Sequence, residues 1–255
     1  MSSRSSRSSR SSRPSGDRTR AGGATAVRAL GAAAAVAAAV AVPLGLFAAP
    51  ADAVQGEAQR LMYVHVPAVL TAYAAFAVML AANVLYLARR TERWDRLGRA
   101  AAELGAGLTA LTIALGMLWA RPVWGVWWTW DPRLVSTAAM LLLALGCLAV
   151  RAWPGEAGAP ARRAALAGPA VAAAMPVVHF SVLWWRTLHQ PPSLLKPSGA
   201  VPVDPPMLVA LLAGVAAFLL AGAWVVARRY RALGTAPANP ARPEVVEREP
   251  LRAAA

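Results

Sequence analysis

Cysteine, lysine and histidine are nearly missing from this sequence, and acidic residues are scarce. A single cysteine, Cys147, stands in 255 residues. A disulfide framework and a CxxC redox pair are therefore excluded, and Cys147, inside an apolar run, reads as a small packing residue. Of the 26 Lys and Arg residues only Lys196 is a lysine. Charged residues make up 15% of the chain against 58% hydrophobic residues, with a mean hydropathy of +0.46. A soluble domain of this length carries more charge, and the apolar residues here come in long blocks, so the chain falls in the membrane class. The formal charge of +14 invites a nucleic-acid reading. The arginines, however, sit in the tails and short loops between apolar blocks, where membrane orientation places them.

Six apolar blocks cover roughly residues 28–50, 66–88, 100–120, 134–152, 164–185 and 207–227. Each is long enough, at about 1.5 Å per residue, to cross a hydrocarbon core of about 30 Å. Several are Ala-rich, and their small residues suit close helix packing. The expected architecture is an all-α, six-transmembrane-helix bundle over 28–230. A Ser-Ser-Arg-rich basic tail (1–27) and a Pro- and Glu-rich tail (231–255) contain too little apolar surface to form a core. With both ends inside, twenty-one basic residues lie on the inner side and five, Arg60, Arg121, Arg133, Arg186 and Lys196, on the outer side. That bias predicts an N-in, C-in orientation. Ala51-Asp52-Ala53 after block one resembles a signal-peptidase site, but the block is longer than the usual h-region of 7–15 residues, which favours a retained helix.

The outward loops, about 51–66, 121–133 and 186–206, hold the chemistry. His65 and His189 fall in the first and third, and Trp119, Trp124, Trp127, Trp128 and Trp130 cluster at the second. Trp184 and Trp185 lead into His189. An interfacial aromatic belt would spread tryptophans over both sides and many helices. Trp124, Trp127 and Trp128, spaced i, i+3, i+4, would instead share a face of a short surface helix, giving an aromatic platform for a large planar ligand. Two neutral imidazoles beside such a platform suit axial ligation of an iron porphyrin. Asp131-Pro132 reads as the N-cap and first residue of block four. His179, within block five, reads as a packing residue bonded to Ser181 or a neighbouring helix. Arg121, Arg133 and Arg186 could pair with porphyrin carboxylates or simply anchor loops at lipid headgroups.

Trp124-Gly-Val-Trp-Trp-Thr-Trp-Asp-Pro-Arg-Leu134 resembles the tryptophan-rich WWD signature of haem-handling proteins in cytochrome c biogenesis, and Arg133-Leu134 is similar to its CcmC branch. Met62-Tyr-Val-His-Val-Pro-Ala68 and Trp184-Trp-Arg-Thr-Leu-His-Gln-Pro191 resemble the loops that hold that family's outer histidines. The resemblance runs over about 57–227. Leu70, where an aromatic is common, and the long Ser-Arg tail depart from the pattern. The resemblance implies His65 and His189 as axial ligands of a transiently bound haem b, with Trp124, Trp127, Trp128, Trp130 and Asp131 contacting it. It also implies delivery to the haem chaperone CcmE, alongside the CcmA/CcmB transporter and the small protein CcmD. The site would face the periplasm from a bacterial inner membrane, with no bond turnover of its own. A haem lyase of the CcsA type would need more histidines within its helices and a large outer domain. A proton-coupled carrier would need midplane charges, whereas Glu103, near an inner end, is the only acidic residue in the six blocks.

Overall fold

A computed structural model of the chain describes residues 15–190, 194–195 and 203–235. What the sequence suggests for the outer parts of both tails, for Lys196 and for Pro191 lies outside the described residues. Six long helices form: α1 (Ser15–Pro43), α2 (Met62–Arg89), α3 (Glu92–Trp124), α4 (Pro132–Ala152), α5 (Ala159–Trp184) and α6 (Pro205–Thr235). All six are long and apolar enough to cross a membrane, as the blocks predict. The helices overrun the apolar blocks at several ends. α1 reaches back to Ser15 through a stretch with three glycines, against its local propensity, and α6 runs forward to Thr235 through Arg228, Arg229, Arg231 and Ala232, which favour helix.

α2 is the hub, packing on α3, α5 and α6, while α1 lies along α6 and α4 against α5. The core between α2, α3, α4 and α5 is built from Phe76, Met79, Met140, Val171 and Val178 with intervening alanines. Cys147 sits in it with its Sγ 3.4 Å from the Ala164 carbonyl oxygen, the packing role its surroundings predict. Small residues set the helix spacing. A Cβ on Gly105 would stand 2.4 Å from the Phe76 ring, so α3 can only approach α2 this closely with glycine there.

Proline shapes α2 differently from the sequence expectation. An apolar block starting at residue 66 leaves His65 in the first outward loop. The helix instead begins at Met62, entered through a 3-10 turn over Glu57–Leu61, and Pro67 lies inside it. Proline cannot bond back to the carbonyl four residues earlier, that of Tyr63. Gly214 of α6 packs against that freed carbonyl, where an added Cβ would come within 2.8 Å of the oxygen.

At one end of the bundle, where both described termini lie, ion pairs tie the helices. Arg151 contacts Asp95 at 2.7 Å, and Glu103 accepts from Arg99 at 3.0 Å and from Arg229 at 2.5 Å. At the opposite end the Arg60 guanidinium donates to the carbonyls of Gly45 and Ala49, both at 3.0 Å. It thereby satisfies orphan acceptors of the π-turn (Leu44–Ala48) that ends α1.

Candidate functional site

The second end of the bundle gathers the short 51–56 turn, the α3–α4 connection and the segment after α5. α3 stops at Trp124 because Gly125 takes a left-handed φ of +78° and returns its N–H to the Arg121 carbonyl at 3.1 Å. The Arg121 side chain turns onto the Gly125 carbonyl at 2.5 Å, so Arg121 closes this helix end. Residues 125–131 then run in a non-helical bend. The expected short helix does not form, and its four tryptophans divide. Trp124 and Trp128 turn inward, while Trp127 and Trp130 are 51% and 85% exposed. Trp184 and Trp185 are exposed as well. Inner tryptophans therefore line a cavity, and the outer ones are exposed beside it.

Asp131 organises the floor of this region. Its Oδ1 accepts the Arg133 N–H at 2.9 Å, the N-cap bond expected of Asp-Pro at the start of α4. Its Oδ2 accepts the Thr187 hydroxyl at 2.6 Å and the Leu188 N–H at 2.7 Å. The Thr187 hydroxyl oxygen in turn accepts the His189 N–H at 3.1 Å. One nearly inaccessible carboxylate thus pins the histidine-bearing segment to the head of α4. Burial would raise its pKa, but these hydrogen bonds and the nearby His189 outweigh that and hold it below the ordinary aspartate value.

His189 stacks edge-on against Trp124 at 4.9 Å between ring centroids, and its Nδ1 lies 3.3 Å from Asp131 Oδ1. Burial, with the Arg133 charge adding to it and Asp131 opposing, pushes the imidazole from 6.5 down to about 4. The ring is neutral at physiological pH, and its Nδ1 is buried beside the carboxylate without a hydrogen bond to it. Because the folded pKa lies below the unfolded one, the unfolded chain takes up a proton first as pH falls. Stability contributed by neutral His189 is therefore full above about pH 6.5 and declines towards pH 4. Thermal unfolding in detergent across that window should show a shallower decline in His189→Gln than in the wild type; equal declines would contradict it.

His65 lies in the first turn of α2 beside Trp119, with ring centroids 5.7 Å apart. Its buried Nδ1 has no hydrogen-bond partner. A Cβ on Gly116 would stand 3.3 Å from its Cε1, so glycine makes room for the ring. The Trp119 indole N–H donates to Gln55 Oε1 at 2.8 Å, and Gln55 donates to Gln190 at 3.2 Å. This chain of side chains links the first outer turn to the residue following His189.

Between these groups, and bounded by α2, α3, α4 and α5, lies a cavity of about 220 Å³ lined by His65, His179, His189, Trp124, Trp128 and Arg133. The two outer histidines of the sequence reading are brought together here as expected. His179 lies here too, a placement the packing expectation missed. Its Nε2 is 3.2 Å from the Leu195 carbonyl rather than at Ser181, and its ring faces Tyr73 at 6.2 Å. Of the three arginines, only Arg133 lines the cavity, with Nη2 3.4 Å from the His179 carbonyl. Arg186 is exposed on the segment leading to His189. No group of three His, Cys, Asp or Glu side chains converges on a bare metal ion among the described residues. Imidazoles on one cavity, aromatic walls and one enclosed guanidinium are donors that could hold a planar metallo-macrocycle with carboxylates.

A six-helix membrane protein with a histidine- and tryptophan-lined cavity at one end of the bundle is the class that fold and site define. The sequence profile of the CcmC family, heme exporter protein C, matches residues 15–237. The heme exporter protein C of Haemophilus influenzae is 36% identical over 195 residues, 75% of this chain and 78% of that one. That of Escherichia coli K12 is 33% identical over 185 residues, 72% and 74% of the two chains. A putative cytochrome c biosynthesis ccmC-like mitochondrial protein of Marchantia polymorpha is 34% identical over 156 residues, 61% and 66% respectively. The chain belongs to the CcmC family.

Proposed function

We propose that this protein binds haem in the cavity between His65 and His189 and passes it on during cytochrome c maturation. Haem is its cargo. The observation that carries this reading is the placement of two imidazoles and inward tryptophans on one cavity at one end of a membrane bundle. The names of the relatives, heme exporter protein C and cytochrome c biosynthesis protein, support it. Each imidazole would offer a lone pair to one face of the iron, Trp124 and Trp128 would cover the macrocycle, and Arg133 would meet a propionate. Asp131 contributes by pinning the segment that bears His189 through Thr187 and the Leu188 N–H.

The twenty-one-to-five distribution of basic residues supports an inner-membrane orientation with both ends in the cytoplasm and the cavity facing outwards. The exposed Trp127, Trp130, Trp184 and Trp185 are then the surface a CcmE-type chaperone would meet, with CcmA, CcmB and CcmD as further partners. Release to the chaperone breaks only coordination bonds, so the protein acts as a haem carrier and not as an enzyme. The haem held is of the b type, bound transiently. In a bacterium deleted for its own heme exporter protein C, this chain should restore covalent cytochrome c. Stably inserted protein with no cytochrome c formed would overturn the reading.

A further inference from the structure

At the far end of the bundle from the histidines, α2, α3 and α6 leave a cleft of about 600 Å³ that the haem site does not use. Its walls are apolar, built from Val78, Leu97, Leu104 and Val226, and its mouth carries Arg93, Trp94 and Tyr230. From Arg93 to Leu104 along α3 the cleft runs about 16 Å, roughly half the thickness of a hydrocarbon core. That is the depth of one leaflet.

The charges at the mouth are unspent. Arg93, which lines the mouth, lies 4.9 Å over the Trp94 ring, and Arg96, outside the lining, lies 5.0 Å over the Tyr230 ring. Neither guanidinium is ion-paired with an acidic side chain among the described residues. Of the nearby carboxylates, Asp95 pairs with Arg151 and Glu103 with Arg99 and Arg229, while Glu92 precedes Arg93 at the start of α3 and pairs with neither guanidinium among the described residues. One buried donor of the lining, Trp94 Nε1, has no hydrogen-bond acceptor. Buried donors of this kind are costly unless a ligand completes them. No histidine, cysteine or methionine lines the cleft, so it offers none of these ligands to a haem iron. An occupant must combine an anionic, acceptor-rich head with an apolar chain about one leaflet long.

We infer that this cleft is a binding site for an anionic phospholipid, with an acyl chain between α2, α3 and α6 and its phosphate at Arg93 and the Trp94 indole N–H. A basic pocket between membrane helices recognises acidic headgroups in this way. The lipid would complete the packing of α6 on α2 and α3 without touching the haem cavity.

Native mass spectrometry of the delipidated full-length protein, titrated with dioleoylphosphatidylglycerol or dioleoylphosphatidylcholine, tests this. The phosphatidylglycerol adduct should form preferentially, and Arg93→Gln should weaken it about fivefold, the worth of one interfacial cation. Ala223→Phe, which fills the cleft from an exposed position, should abolish it. Equal binding of the two lipids, or adducts unchanged in both variants, would overturn the inference. A co-purifying polypeptide released only by Ala223→Phe would assign the cleft to a protein and overturn it equally. The haem spectrum of both variants should match the wild type, so failure here is distinguishable from failure of the haem assignment.

Discussion

Replacing His189 with alanine should lower holocytochrome c by more than about tenfold while the protein remains inserted. Even the outer-shell partner of a metal-bound histidine is worth about 10–100-fold in affinity or activity, and His189 is assigned to the iron itself. Its ring is neutral, held near Asp131, and stacked on Trp124. Nothing else on the 185–190 segment could ligate in its place. His65→Ala should have a comparable effect, since its Nδ1 is buried without a partner and its ring points into the same cavity. His179→Ala should matter far less, because its Nε2 is already engaged by the Leu195 carbonyl. Haem-stained cytochrome c from complemented cells, normalised to membrane-inserted protein, reads all three. Normal maturation in both outer-histidine variants would remove the axial-ligand assignment.

Asp131→Asn should separate positioning from capping. Asparagine caps a helix as well as aspartate does, so α4 should begin at the same place. An amide, however, has only one acceptor oxygen, where the carboxylate serves Arg133 N–H on one side and Thr187 and Leu188 on the other. One of those contacts must be lost, and the segment bearing His189 loosens. Haem retention should fall about 10–100-fold. Loss of the negative charge that raises the His189 pKa should also shift the pH midpoint of ligation further down. Asp131→Ala should add about 1 kcal/mol of helix-start destabilisation. Retention and pH midpoint both unchanged in Asp131→Asn would show that the carboxylate does no more than cap.

The six-helix architecture was legible because membrane insertion demands long apolar blocks, a signal that single residues cannot blur. The helix starts were less so. Pro67 reads locally as a helix opener, yet α2 begins at Met62 and runs through it, with Gly214 of α6 packed against the freed Tyr63 carbonyl. The i, i+3, i+4 spacing of Trp124, Trp127 and Trp128 pointed to one helical face. Gly125 at φ +78° ends the helix first, a competing signal present in the sequence and outweighed there by the spacing. His65 and His189 stood out through their aromatic company. His179 did not, because a lone histidine in an apolar run carries no mark of the cavity that three-dimensional packing opens beside it. Gln55, Tyr73 and Thr187 bear no local signature at all. Gln55 enters only because the turn made by Asp52, which accepts the N–H groups of Val54 and Gln55 at 2.9 and 2.7 Å, aims it at Trp119.

The most direct measurement is the optical spectrum of the purified protein, loaded with haem in the presence of its chaperone, for wild type and His189→Ala. Wild type should show a six-coordinate, low-spin bis-imidazole spectrum that becomes five-coordinate or is lost in the variant. An identical six-coordinate spectrum in both would contradict the assignment of His189 to the iron. Wild type that stays haem-free with haem and chaperone in excess would contradict the haem cavity itself.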